Sequence, residues 1–224
     1  MKTPRSSIPT SANVETASYF DCRRLLPSDN AWPIRLASDN HAFLDVFGST
    51  SVLSSSSTAI FCSSRCTGDA ILRATKWIGD LAEDPNRVII GGFHSVMEKG
   101  FLEILVDGKC RICLCPARSL TRYRIPRMFK SAIESGRLTI LSSLPQSIRS
   151  NSASSSHQRN QLVADLADQI IVAHASEGSR TEEFALSLLD AGRVVDCLDV
   201  GCKRLVAGGA RVSQIDLVKG RASE

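Results

Sequence analysis

The sequence is poor in aromatic residues and has no long apolar run. Its 224 residues include two Trp and two Tyr, so few rings are available to stack on nucleic acid bases. No stretch reaches the run of about 18 apolar residues that a membrane-spanning helix needs, and we expect no membrane partner. Residues 1–15 lack the apolar segment of a secretion signal. We therefore expect a cytoplasmic protein with reduced thiols.

Several motifs of common enzyme classes are also missing. The sequence contains no GxGxxG after its first predicted strand, no GxxxxGK[ST], no GxSxG and no HExxH. These absences count against a dinucleotide-dependent oxidoreductase, a P-loop ATPase, an α/β-hydrolase and a zinc protease. We accordingly assign no catalytic residue and no cofactor.

The eight cysteines do not follow a metal-binding pattern. Cys110 and Cys113 form one CxxC pair, whereas a four-ligand zinc site needs a second pair. Cys113 and Cys115 fall in a predicted buried strand, where a thiol packs as a small hydrophobic group. The remaining cysteines have looser spacings. The pattern favours core packing, and we predict no metal site.

What the sequence does have, after residue 57, is a regular alternation of apolar runs and amphipathic segments. Helices between the runs begin at good N-cap residues, among them Thr67, Ser95 and Ser179. This alternation predicts an α/β fold: a Rossmann-like, doubly wound, mostly parallel sheet with helices on both faces. The predicted strands are 58–62, 87–92, 111–115, 138–141, 169–173 and 193–197.

Three segments follow from this pattern. Residues 1–57 are predicted to be an irregular N-terminal lead-in, interrupted by Pro27, Pro33 and Gly48. Residues 58–200 form the Rossmann-like domain, and 201–224 supply C-terminal strands or a tail. Within the domain, a Ser-rich loop is predicted at 142–156, ahead of the helix that leads to the fifth strand.

Charge is unevenly distributed. The net charge is only +4, but residues 109–130 contain seven basic residues and no acidic one. The basic residues are Lys109, Arg111, Arg118, Arg122, Arg124, Arg127 and Lys130. This stretch is either a solvated surface loop or a face that binds anions.

Three loops rich in small and hydroxyl residues follow strands one, two and five and lead into helices. In a doubly wound sheet such loops lie at the C-terminal edge, where ligands bind. Free N–H groups and the helix dipole favour a phosphate there, and Arg65 and Arg159 supply charge. The candidate phosphate-binding or nucleic-acid-binding residues are Ser63, Ser64, Arg65, Gly91, Gly92, His94, Arg159, Asn160, Gly178, Ser179 and Thr181.

Four stretches, in the same order, carry a family resemblance. They are FCSSR at 61–65, IGGFHSVME at 90–98, GRLTILSSLP at 136–145 and RNQLVADLADQIIV at 159–172. Together they resemble the DprA/Smf family of DNA-processing proteins, whose domain belongs to the SLOG superfamily. The chain departs from the family pattern in having Ser63 for a glycine, Glu98 for an aspartate and Gln161 for a second arginine.

The resemblance implies single-stranded DNA binding in a basic pocket at the C-terminal edge of the sheet. It also implies a homodimer and, as a partner, a RecA-type recombinase during recombination or transformation. Carried over by position, the residues that line the phosphate pocket are Ser64, Arg65, Gly92, Arg159 and Asn160. Of these, Asn160 is expected to brace the loops by hydrogen bonds rather than to contact the ligand. The winged helix common in the family is not expected within these residues.

Two alternatives come from other SLOG proteins. The stretch EGSRTEE at 177–183 faintly resembles the PGGxGTxxE loop of the LOG phosphoribohydrolases, which cleave the N-glycosidic bond of a nucleotide. A SLOG module that senses a free nucleotide without hydrolysing it is the second alternative. The same stretch also fits a plain helix start, because acidic residues in a first turn are favourable.

Overall fold

The computed structural model describes residues 21–36 and 40–213, and within them nine strands form one sheet in the order β1-β2-β6-β5-β4-β3-β7-β8-β9. The strands are β1 (Arg23–Leu25), β2 (Leu44–Phe47), β3 (Ser57–Cys62), β4 (Val88–Gly91), β5 (Arg111–Leu114), β6 (Leu138–Ser142), β7 (Gln169–His174), β8 (Val195–Cys197) and β9 (Arg211–Val212). The helices are α1 (Gly68–Ala82), α2 (Val96–Asp107), α3 (Lys130–Glu134), α4 (Ala153–Leu166), α5 (Arg180–Asp190) and α6 (Lys203–Ala207).

The sheet reverses its winding direction around β3. This strand pairs in parallel with β4 on one side, where Ala59 faces Ile90, and with β7 on the other, where Ala59 faces Ile170. All strands from β3 to β9 are parallel, while β1 and β2 join the β6 edge in antiparallel pairing. The mostly parallel, doubly wound sheet predicted from the sequence is therefore confirmed.

Helices cover both faces of the sheet. On one face α1, α2 and α3 pack through residues such as Ile78, Phe101 and Ile133. On the other face α4, α5 and α6 pack through residues such as Val163 and Leu205. Both faces of the central strands are thus buried, which explains why these strands are continuous apolar runs rather than alternating ones.

The helix starts follow the predicted caps in three places. Thr67 accepts a hydrogen bond from the N–H of Ala70 at the start of α1, and Ser179 accepts one from Glu182 at the start of α5. Ser95 and Glu98 form a reciprocal capping box at the start of α2. These caps fix where each helix leaves the C-terminal edge of the sheet.

The Ser-rich loop predicted at 142–156 is shorter than expected. Helix α4 already begins at Ala153, because Ser152 caps it by accepting a hydrogen bond from the N–H of Ser155, while the side chain of Ser155 accepts one from the N–H of Ser152. Arg159 therefore lies in the second turn of α4. This position directs it toward the sheet, where it is buried.

The residues before β3 take part in the same sheet. Strand β1 pairs with β2. Arg24 of β1 forms a bidentate ion pair with Asp45 of β2, with Nε 2.8 Å from Oδ1 and Nη2 2.9 Å from Oδ2. The division of the chain at residue 57 stays a prediction, and residues 1–20 and 214–224 of the predicted lead-in and tail lie outside the described residues. Among the helices that the structure describes, none is long and apolar enough to cross a membrane.

Candidate functional site

A depression of about 460 Å³ lies at the C-terminal edge of the sheet, between the ends of β3 and β4 and the starts of α2, α4 and α5. We call it the edge pocket. Its position matches the place where doubly wound sheets bind ligands, because β3 is the strand at which the winding reverses. It is lined by Phe61, Cys62, Ser64, His94, Ser95, Val96, Glu98, Asn151, Ser152, Ala153, Ser156, Arg159, Asn160, Arg180 and Thr181.

Arg159 is the most deeply held cation of the edge pocket, with only 5% of its surface exposed. Its Nε donates to Oδ1 of Asn160 at 2.7 Å, and its Nη1 donates to the carbonyl of Cys115 at 3.2 Å. Burial lowers the pKa of Arg159, and the nearby Glu98 carboxylate opposes that shift. An arginine nevertheless stays charged at neutral pH, so a fixed positive charge lies at the base of the pocket.

Glu98 lies beside this charge and is also buried, with 7% of its surface exposed. Its Oε1 accepts from the N–H of Cys62 at 3.0 Å, and its Oε2 accepts from the N–H groups of His94 at 2.8 Å and Ser95 at 3.2 Å. One carboxylate thus joins the end of β3 to the start of α2. These three N–H groups are therefore occupied and do not face a ligand.

Serine hydroxyls join the loop after β3 to the loop after β7. Oγ of Ser63 lies 2.9 Å from Oγ of Ser179 and accepts from the N–H of Ser176 at 3.1 Å. The hydroxyl of Ser176 in turn donates to the carbonyl of Arg65 at 2.6 Å. Ser63 is consequently a bracing residue, buried beneath the loops and not a lining residue of the pocket.

The structure brings together five of the predicted site residues in the lining of the edge pocket and leaves six outside it. The five are Ser64, His94, Arg159, Asn160 and Thr181. The six are Ser63, Arg65, Gly91, Gly92, Gly178 and Ser179. Among these six, Gly92 packs against the guanidinium of Arg159, and a Cβ at position 92 would overlap its Nη1 and Cζ atoms.

The sequence prediction missed Arg180 and the residues around the start of α4. Arg180 is exposed, lines the edge pocket and has no ion pair or side-chain hydrogen bond within the part of the chain that the structure describes. In the sequence, Arg180 could have been identified from its position directly after the predicted N-cap residue Ser179. Asn151 was hidden in the Ser-rich loop, and its Nδ2 lies 3.2 Å from Nδ1 of His94.

The basic stretch at 109–130 does not reach the edge pocket, since none of its seven basic residues is among the lining residues. Lys109 pairs with Glu83 at 2.6 Å, and Arg111 donates to Oγ of Ser55 at 3.1 Å. Arg118 lies over the ring of Tyr123. Lys109 and Arg111 are thus held by residues elsewhere in the chain, and both alternatives for the rest of the stretch stay open.

A larger cavity, of about 570 Å³, is lined by residues 30–35, by Ser49 and by the 3-10 turn Thr50–Ser54 apart from Val52. Its one lining cation is Arg35, which pairs with Asp168 at 2.9 Å and donates to the carbonyl of Ser55 at 3.2 Å. Within the described residues, the one cation of this cavity is therefore already paired with a carboxylate, unlike Arg159 and Arg180 of the edge pocket.

A second cluster of reactive side chains is buried at the ends of β7 and β8. Nδ1 of His174 lies 2.6 Å from Oδ2 of Asp199, and Sγ of Cys202 accepts from the N–H of Ala175 at 3.2 Å. Burial raises the pKa of Asp199, but hydrogen bonds from Gly201 and His174 outweigh burial and hold that pKa below its ordinary value. One ligand atom each from His174, Asp199 and Cys202 lies within 4.8 Å of the others.

No protein-family model and no curated protein sequence matches the chain. Solved structures do match. DNA processing protein A (DprA) from Streptococcus pneumoniae aligns over 87% of this chain and 72% of its own, with 19% identity and a TM-score of 0.70. DprA from Helicobacter pylori, described for its single-stranded DNA binding mode, aligns over 86% of this chain and 91% of its own, with 20% identity and a TM-score of 0.66. The chain therefore has a DprA-like fold, as the four sequence stretches predicted.

Proposed function

We propose that the chain is a DprA-like DNA-processing protein whose edge pocket binds the phosphate backbone of single-stranded DNA. The observation that carries the proposal is Arg159, a buried cation that borders this pocket at the strand where the sheet reverses. A buried arginine needs a reason, because charged side chains are almost never fully buried unless they are paired. The carboxylate of Glu98 lies near Arg159, but its oxygens accept from three backbone N–H groups. A phosphate at the pocket would give the guanidinium a partner of its own.

The donors left on Arg159 fit this role. Two of its nitrogens, Nε and Nη1, are engaged by Asn160 and by the carbonyl of Cys115. Within the described residues Nη2 makes no hydrogen bond, although its guanidinium is fixed in place by the other two contacts. A prepositioned guanidinium edge suits phosphate because its planar set of donors matches the phosphate oxygens.

Arg180 complements this buried charge from the rim. It begins α5 and is exposed beside the hydroxyl of Thr181. Ser64 and Ser156 add two more hydroxyl groups to the lining. Hydroxyl groups and arginines are the usual partners of phosphate and sugar oxygens, and they act without regard to base sequence. We therefore expect weak sequence preference.

The alternative of a nucleotide hydrolase is less well supported. The resemblance to the hydrolase loop makes Glu182 the acidic candidate, but this side chain is 2% exposed. Its Oε2 accepts from the N–H of Gly178 at 2.8 Å and pairs with Nη1 of Arg204 at 2.7 Å. The carboxylate is thereby committed to holding the loop, and Glu182 is not among the residues that line the edge pocket.

The test is a titration of a labelled single-stranded oligonucleotide, followed by fluorescence anisotropy at several salt concentrations. Arg180→Ala should weaken binding by about threefold to tenfold and lower the steepness of the salt dependence by about 0.7, the value for one phosphate contact on a single strand. Arg87→Ala is the matched control, since Arg87 is exposed and, among the residues that the structure describes, its side chain pairs with Asp84 in its own turn. Equal affinity of the two variants would refute the assignment of the pocket.

Arg159→Lys is the second variant, because lysine keeps the charge and loses the planar donor set. Arg65→Ala tests the one predicted arginine that lies outside the pocket lining. Competition with nucleoside monophosphates separates a polymer site from a free-nucleotide sensor. Released base in the same incubation, abolished by Glu182→Gln, would favour the hydrolase instead.

The proposal extends to assembly and to partners. The resemblance implies a homodimer and a RecA-type recombinase, which the oligomeric state and a pull-down of purified recombinase would test. Light scattering of the purified chain gives the oligomeric state directly. A monomer that still binds DNA would remove the dimer from the proposal and leave the pocket in place.

A further inference from the structure

We propose that His174, Asp199 and Cys202 form a binding site for a divalent metal ion of the zinc class. The three residues come from separate points of the fold. His174 ends β7, Asp199 follows β8, and Cys202 is the N-cap residue of α6. The parallel pairing of β7 with β8 carries them to the same edge of the sheet.

The geometry is already close to that of a metal site. One ligand atom from each residue lies within 4.8 Å of the other two, and all three residues are buried. Zinc binds such atoms at about 2.0–2.3 Å, so tetrahedral ligand atoms lie roughly 3.3–3.8 Å apart. That separation falls between the 2.6 Å from Nδ1 of His174 to Oδ2 of Asp199 and the 4.8 Å within which all three ligand atoms lie. An ion would replace the hydrogen bond between His174 and Asp199, and these two ligand atoms would move apart to admit it.

The ligand types favour zinc over the other common divalent ions. Imidazole nitrogen, carboxylate oxygen and thiolate sulfur are its usual protein ligands, and three of them leave one position for water. Magnesium and calcium prefer oxygen ligands only, and a cysteine would contribute nothing to such a site. The combination of three different zinc ligands in one buried cluster is what distinguishes this place from the other cysteines of the core.

Hydrogen bonding without a metal ion accounts for only part of the cluster. The hydrogen bond between His174 and Asp199 satisfies those two side chains without an ion. It leaves out Cys202, whose sulfur accepts a backbone N–H from Ala175 and also interacts with the thiol of Cys197 in the core. Hydrogen bonds from N–H groups to sulfur, like the carboxylate next to the imidazole, are the kind of surrounding contact that orients metal ligands.

Asp199 has other polar neighbours besides His174. Nη2 of Arg73 lies 3.8 Å from Oδ1 of Asp199, but this arginine also pairs with Asp69, four residues earlier in α1. The same Oδ1 accepts from the N–H of Gly201 at 2.8 Å. An ion would therefore engage the opposite oxygen, Oδ2, which now faces the imidazole.

A metal ion at this place would stabilise the loop that leads to the edge pocket. The loop at 175–179 connects the cluster to the edge pocket, because Ser176 follows Ala175 and bonds to Ser63. A bound ion would fix the end of β7 to the segment after β8. The loop that carries Ser179 and leads to Arg180 would then be held from both sides.

The test uses the full chain, reduced and freed of metal with a chelator. Zinc is titrated in competition with a chromophoric chelator, and cobalt is used as a spectroscopic substitute. We expect one ion per chain and, with cobalt, an absorption band of thiolate-to-metal charge transfer. Cys202→Ser should abolish the band and weaken zinc binding by at least about tenfold, the effect expected for altering a metal site. His174→Ala should do the same.

Cys22→Ser is the matched control, because Cys22 is an exposed thiol far along the chain from the cluster. Binding that survives in Cys202→Ser, or that disappears in Cys22→Ser, would overturn the proposal. So would a cobalt complex of the unchanged protein without the thiolate band, which also covers the case in which a variant does not fold. No nucleic acid is present in these measurements, so their outcome is independent of the proposed DNA binding.

Discussion

The guanidinium of Arg159 fills the space beside Gly92 that any side chain at position 92 would need. This contact explains the second glycine of the pair at the end of β4. It also explains how a charged side chain from α4 reaches the edge of the sheet, since only a glycine leaves the backbone open to such a close approach. The pair Gly92 and Arg159 is thus a single structural unit made from two distant parts of the sequence.

The first prediction concerns this unit. Gly92→Ala should displace the guanidinium and weaken binding of single-stranded DNA by about tenfold, roughly the worth of one charge-assisted hydrogen bond. Gly100→Ala in α2 is the control, because a Cβ there meets open space and should add about 0.5–1 kcal/mol of stability. Anisotropy titrations of both variants give the comparison. Unchanged affinity in Gly92→Ala would mean that Arg159 does not contact the ligand.

The second prediction concerns Glu98. Its carboxylate accepts three backbone N–H bonds, and in Glu98→Gln one acceptor oxygen becomes a donor that faces an N–H group. We expect a loss of about 1–3 kcal/mol in the free energy of unfolding, the cost of an unsatisfied buried group. Urea denaturation measures it. Glu103→Gln, on the exposed side of the same helix, should change stability by less than about 0.5 kcal/mol.

The third prediction separates two adjacent serines. Ser63 joins the loops from within, while Ser64 lines the pocket. Ser63→Ala should lower stability by about 1 kcal/mol, and Ser64→Ala should leave stability unchanged and reduce DNA affinity. Thermal unfolding and anisotropy on the same samples check both. The opposite pattern, with stability lost at Ser64, would contradict the assignment of their roles.

The fourth prediction is a pH dependence. Burial raises the pKa of the Cys110 thiol to about 11, against about 8.5 for an unfolded cysteine. A thiol whose pKa is raised on folding keeps its proton in the folded state, so its contribution is present below about pH 8.5 and is lost as the pH rises toward 11. Cys110→Ala should therefore show a shallower loss of unfolding free energy with pH over this range, measured by urea denaturation. Burial also raises the pKa of the Cys22 thiol, so Cys22→Ser should change the pH dependence in the same direction.

Much of the fold could be predicted because the central strands are apolar on both faces. Strands β3 to β8 stand out as apolar runs, and Thr67, Ser95 and Ser179 mark helix starts with hydrogen bonds local to the chain. Local patterns of this kind can be recognised from a short stretch of sequence. They do not depend on which strands become neighbours.

The parts that escaped prediction depend on distant partners. The first residues of α4 are serines, which ordinarily favour turns, and only the reciprocal bonds of Ser152 and Ser155 make them helical. Strand β2 contains Asp45, whose charge is acceptable in a buried strand because Arg24 of β1 pairs with it. The burial of Arg159 was equally hidden, since its partners are the carbonyl of Cys115 and the bare backbone of Gly92.

The unequal exposure of the two arginines of the edge pocket has a kinetic consequence. A charge on the rim acts at long range and governs how often a ligand arrives, whereas a buried charge acts only after contact and governs how long the ligand stays. Arg180 would thus control association, with a strong dependence on salt, and Arg159 would control dissociation. Under the proposed DNA binding, the rate of capturing a strand and the time for which the strand is retained would therefore depend on different residues.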